Sequence, residues 1–99
     1  MTSKATLVVT AVPNPDGKES MQAYLKGVMP LLIEAGGELV RRLNTRSVVN
    51  GRPAGVVLVM DFPSVDAAEA LFESADYQAL VPVRDQGFAE MNILITQTM

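Results

Sequence analysis

The sequence predicts an α+β sandwich of βαββαβ order, in which a four-stranded antiparallel sheet carries two helices on one face. Three observations predict it. The apolar, mostly β-branched run Val56–Met60 reads as a strand that is greasy on both faces. Two amphipathic helical patterns each follow a strand pattern. Breaker clusters separate all of these segments, so neither helix can merge with its neighbours.

In order, Ala5–Val12 is the first strand, with Leu7, Val9 and Ala11 on one side and Thr6, Val8, Thr10 and Val12 on the other. Pro13-Asn14-Pro15-Asp16-Gly17 is a loop. A helix starts near Lys18, with Met21, Tyr24, Leu25, Val28, Leu32 and Ala35 as its apolar stripe. Pro30 predicts a kink or break, because its ring presses on the carbonyl of Lys26. Gly36-Gly37 ends the helix, one of the pair in the left-handed conformation. Glu38–Val49 is a polar strand suited to a sheet edge, and Asn50-Gly51 turns the chain.

The strand from Val56 points Leu58, Met60 and Phe62 one way, and Val57, Val59 and Asp61 the other. Pro63 stops it, Ser64 caps the second helix, and Val65, Ala68, Leu71, Phe72 and Ala75 form that helix's stripe. Ser74 and Asp76 start a short amphipathic turn that ends near Pro82. Asp85-Gln86-Gly87 is a loop, and Met91–Thr98 is the last strand. Two right-handed crossovers and one hairpin place the first and third strands in the centre of the sheet, the ferredoxin-like arrangement. Two helices cover only one face. The apolar third strand therefore predicts a second copy stacked on the other, as a homodimer.

Composition narrows the function. The 99 residues suffice for a single domain, 1–99, with a real core; 48% apolar and 19% charged residues exclude disorder. A net charge of −3 argues against nucleic acid or an anionic membrane as partner. There is no cysteine for thiolate chemistry and no histidine, the commonest general base and transition-metal ligand. The carboxylates are scattered, so no metal site is expected, and no glycine-rich phosphate loop or other cofactor motif is present. No segment has the length of a membrane span, and the N-terminal run lacks the pattern of a signal peptide, so a cytoplasmic protein is expected.

Several residues together resemble the family called domain of unknown function 1330. They are Asp61-Phe62-Pro63-Ser64, Ala67-Ala68, Ser74, Tyr77, Leu80 and Arg84, with Pro30, Gly36-Gly37 and Arg42 upstream. The chain departs from the family pattern after Arg42, where Leu43-Asn44-Thr45-Arg46 replaces a glycine-rich continuation. The resemblance implies the dimeric α/β-barrel superfamily, in which two ferredoxin-like subunits pack their sheets together. That superfamily includes cofactor-free monooxygenases, haem-degrading enzymes, isomerases and chlorite dismutases. Their usual His and Trp site residues have no counterpart in this chain.

Five residues are candidates for a site. A hairpin that sets Asn44 opposite Asp61 would place Arg42 diagonal to Asp61, as a cationic anchor beside a carboxylate base. The competing reading is a structural salt bridge. Tyr77 and Arg84 flank the short helical turn and could orient a carboxylate or phenolate. The alternative is a core ring, its hydroxyl bonded to backbone, beside an arginine that ties down a loop. Tyr24 is read as a core aromatic that could also touch a ligand. The functional expectation is a cofactor-free enzyme, monooxygenase- or isomerase-like, acting on a small organic acid or aromatic metabolite. The alternative is a non-catalytic small-molecule-binding or dimerisation module.

Overall fold

The computed structural model describes residues 4–99; residues 1–3, which belong to the expected 1–99 domain and to the N-terminal run, lie outside the described residues. The elements are β1 (Ala5–Pro13), α1 (Lys18–Glu34), β2 (Glu38–Asn44), β3 (Val56–Phe62), α2 (Val65–Glu73), α3 (Ala75–Gln78), α4 (Val81–Gly87) and β4 (Phe88–Thr96). The strands form one antiparallel sheet in the order β2-β3-β1-β4, so the two most apolar strands are central, as expected.

Strand alternation assigns the two faces. Ala5, Leu7 and Ala11 on β1 and Met60 and Phe62 on β3 are buried, and meet Tyr24, Val28 and Leu32 from α1 and Ala68 and Leu71 from α2. Val57, Val59 and Asp61 point the other way, to a face that no helix among the described residues covers. The shortest dimension of the chain, 17 Å between Cα extremes, accommodates one sheet and one helix layer. Across the open face run three rows in register: Glu38, Asp61, Thr6 and Thr96; Arg41, Val59, Val8 and Leu94; and Leu43, Val57, Thr10 and Asn92.

Local signals explain most boundaries. Ser64 Oγ accepts from the amide of Ala67 at 3.1 Å and starts α2. Gly36 adopts φ 90°, the left-handed turn that lets the chain leave α1, and the amide of Gly37 returns to the carbonyl of Leu32 at 2.9 Å.

Four expectations are corrected. Of the kink or break expected at Pro30, the break is absent, since α1 runs unbroken from Lys18 to Glu34. Both Pro30 and Lys26 are exposed, so water can serve the carbonyl that proline leaves without a donor. Pro82 does not end a helix but lies in the first turn of α4, where a missing N–H loses no intrahelical bond; Asp85-Gln86-Gly87 is therefore helix rather than loop. Strand β2 stops at Asn44, and residues 45–55 form an irregular connection rather than a tight hairpin. Leu25 turns outward from α1, towards Met29 and Ile33 instead of the core.

Candidate functional site

Three of the five candidate residues meet in the helix layer. Tyr24 comes from the buried stripe of α1, Tyr77 from α3 and Arg84 from α4. The hydroxyls of Tyr24 and Tyr77 are 3.0 Å apart, and Arg84 Nη1 donates to the Tyr77 hydroxyl at 3.1 Å. Arg84 Nε donates to Asp85 Oδ1, also at 3.1 Å. The rings extend the contact edge to face: Phe72 lies 4.8 Å from Tyr77, and Phe88 lies 5.8 Å from Tyr24, centroid to centroid. Tyr24 and Tyr77 are 4% and 2% exposed, while the Arg84 side chain is 26% exposed, so solvent reaches the group along the arginine.

Local chemistry positions each member. Ser74 Oγ accepts from the Tyr77 amide at 3.2 Å and donates to the Leu71 carbonyl at 2.6 Å, joining the end of α2 to the start of α3. The C-terminal end of α4 is latched to the loop before α1. Asn14 N donates to the Gly87 carbonyl and Asn14 Nδ2 to the Gln86 carbonyl, each at 3.0 Å. Gly87 allows this approach, because a Cβ there would stand 2.5 Å from the backbone nitrogen of Met21. Arg84 is thus held over α1 by backbone contacts.

Burial, and then the hydrogen bond to Tyr77, push the Tyr24 phenol above its ordinary 10.0. For Arg84, burial works against the charge, but the bonds to Tyr77 and Asp85 outweigh it and hold its pKa above the ordinary value. Tyr77 has a core ring, as one reading expected, but its hydroxyl bonds to two side chains rather than to backbone.

The other two candidates are separated. Asn44 lies opposite Val56, not Asp61. The register between β2 and β3 shifts at a bulge between Leu39 and Arg41, so the residue after the bulge that shares the face of Asp61 is Arg41. Arg42 lies opposite Leu58 and therefore projects to the helix side. Asp61 sits on the open face beside Glu38, and its Oδ1 accepts from Thr6 Oγ1 at 2.9 Å. Among the described residues the ion pairs are Arg52–Glu90 and Arg84–Asp85, and neither involves Asp61. Two shallow clefts, of about 270 Å³ beside Arg52 and Glu90 and about 300 Å³ beside Arg42 and Asn44, include neither Asp61 nor the tyrosines. Among the described residues no cluster of three acidic side chains could hold a metal ion.

The roles of Thr6 and Asp85 are not legible in the sequence, whereas Ser74 is the helix start read there and caps the Tyr77 amide. The available signal was Tyr24: it carries the one polar atom among the buried residues of α1.

Comparison with known proteins follows the same lines. The family model described as "Domain of unknown function (DUF1330)" matches residues 5–99. A search of curated proteins returns no match. A protein of unknown function from Rhodopseudomonas palustris superposes with a TM-score of 0.82 at 17% identity, covering 100% of this chain and 85% of its own. A protein from Nitrosomonas europaea, whose description reads "Putative antibiotic biosynthesis monooxygenase", gives 0.66 at 19% identity, covering 100% and 93%. A protein from Bacteroides fragilis, described as dimeric, of unknown function and ferredoxin-like, gives 0.61 at 9% identity, covering 96% of each chain. At these identities the likeness is one of fold, and it agrees with the ferredoxin-like topology described above.

Proposed function

The chain belongs to the DUF1330 family, and from that premise we propose that it is a homodimer that handles a small organic acid or aromatic metabolite at the Arg84–Tyr77–Tyr24 group. The observation that carries the reading is the convergence of three polar side chains from three helices inside an aromatic cluster. Buried polar groups are expensive to desolvate, and an apolar trio would hold the same helices together. A cation reaching solvent above two buried phenols suits recognition of an oxygen-rich group. The enzyme reading is a cofactor-free oxidation or isomerisation in which Arg84 anchors the substrate and Tyr77 orients it.

A second reading, a non-catalytic binding module, is favoured by one observation. Asp61, the carboxylate expected as base, stands on the opposite face of the sheet and is bonded to Thr6. The homodimer is supported by the apolar band of Val8, Val57, Val59 and Leu94 on the open face and by structural neighbours described as dimeric.

A thermal-shift screen against small carboxylates and small phenols tests the site. Stabilisation by either class that is lost in Arg84→Ala is expected. If neither class stabilises the wild type, the site is not a ligand site.

A further inference from the structure

The hydrogen bonds of the Arg84–Tyr77–Tyr24 group leave one proton without an acceptor, and we propose that the missing acceptor is the carboxylate of an anionic ligand. The inference rests on reading this group as the ligand site, and it narrows the ligand to an acid.

The count is short. Two contacts link three donors: one N–H of Arg84 and the two phenolic O–H groups. Arg84 must donate to Tyr77. If Tyr77 then donates to Tyr24, the Tyr24 proton is left over. If Tyr24 donates to Tyr77, the Tyr77 proton is left over. Either orientation leaves a phenolic proton free in a pair of side chains that are 4% and 2% exposed. Burial raises the Tyr24 pKa, so that proton is not readily shed. The guanidinium adds to the surplus, because only its Nε and Nη1 have partners among the described residues.

The chemistry of the occupant follows. Water would accept the phenolic proton but would bring two protons of its own into a cluster already rich in donors. An amide or a neutral phenol likewise adds donors. An ionised carboxylate only accepts, can bridge guanidinium and phenol, and places negative charge beside Arg84.

The test uses the intact protein with benzoate and its neutral isostere benzamide, at matched ionic strength, in wild type, Tyr24→Phe, Tyr77→Phe and the double variant. Benzoate should raise the melting temperature and benzamide should not. Tyr24→Phe alone should keep benzoate binding, because Tyr77 then carries the free proton. The double variant should weaken it by about tenfold or more, the size of one charge-assisted hydrogen bond. Should the double variant not fold, wild type labelled at the tyrosine ring carbons provides the readout, and benzoate must shift the Tyr24 or Tyr77 signals. Binding of benzamide with benzoate silent would overturn the inference and leave the site standing. Response to neither ligand would overturn both. Tyrosinate absorbance at neutral pH would also overturn it, since the surplus proton would then be absent.

Discussion

Tyr24 and Tyr77 should be energetically coupled, and a double-mutant cycle measures the coupling. Tyr24→Phe removes one neutral hydrogen bond, the 3.0 Å contact between the hydroxyls, and leaves Tyr77 its bond from Arg84. The loss should be about 1 kcal/mol. Tyr77→Phe removes the same bond together with the 3.1 Å bond from Arg84. The Arg84 side chain is 26% exposed and can regain water, so its share should be only about 1 kcal/mol. The Tyr24 hydroxyl is then stranded in a buried residue, which raises the total to about 2–3 kcal/mol. In the double variant no phenol is stranded and the shared bond is lost only once. Its cost should therefore be about 2 kcal/mol, at least 1 kcal/mol below the sum of the single changes. Ring packing against Phe72 and Phe88 is common to all four proteins. Urea unfolding at one fixed protomer concentration reads the cycle, since association would otherwise contribute to the apparent stability. Additivity within about 0.5 kcal/mol would refute the network as an energetic unit.

Three further outcomes are expected. Val59→Lys, in the middle of the open face and opposite Val8, should convert the proposed dimer into monomer; sedimentation velocity showing an unchanged dimer would remove that face from the interface. Gly87→Ala should destabilise by about 1–3 kcal/mol and lower the melting temperature by about 5–20 °C, because the obstructing atoms of Met21 and Ser20 are backbone. Gly55→Ala, whose nearest neighbours stand at 3.4 Å, serves as the mild control in the same melting experiment. Stability should also fall at high pH. The folded pKa of Tyr24 lies above its unfolded value near 10.0, so the contribution is full below that pH and is lost as the pH rises from there toward the folded value. Tyr24→Phe should flatten this alkaline decline in denaturant titrations.

The parts of the fold that were legible rest on period and on side-chain chemistry local to a few residues. The unbroken apolar run of β3 announced a central strand, and the hydroxyls of Ser64 and Ser74 announced two helix starts. The effect of proline depends on what surrounds it. At Pro82 the ring fits a first turn, and at Pro30 the helix is exposed, so the carbonyl left without a donor is open to solvent. The site was half legible. Tyr77 and Arg84 are seven residues apart on consecutive short helices, within reach of a local reading. Tyr24 is 53 positions from Tyr77, and only the packing of α1 on α3 and α4 brings them together.

Arg42 misses Asp61 along the strand, because residues 45–55 separate β2 from β3 and pairing starts at Asn44 opposite Val56, and it misses the face of Asp61 because of a bulge. Side chains alternate with a period of two, so one extra residue in β2 sends every later side chain to the other face. Without the bulge after Leu39, Arg42 would have met Val57 on the open face, still four residues along β3 from Asp61. With it, Arg41 takes that side and Arg42 goes to the helix side. The consequence reaches beyond one pair. On the open face Thr6 donates to Asp61 and Asn92 to Thr10, yet Glu38 stands directly opposite Asp61, two like charges whose repulsion amounts to about 0.2–1 kcal/mol in a sheet. Arg41 stands one row away on the same face, beside Val59 and Val8. An acidic corner, a basic residue and an apolar band on one surface suit a self-complementary contact. Under the proposed homodimer, a two-fold partner would cover the valines and could set a cation beside that acidic pair.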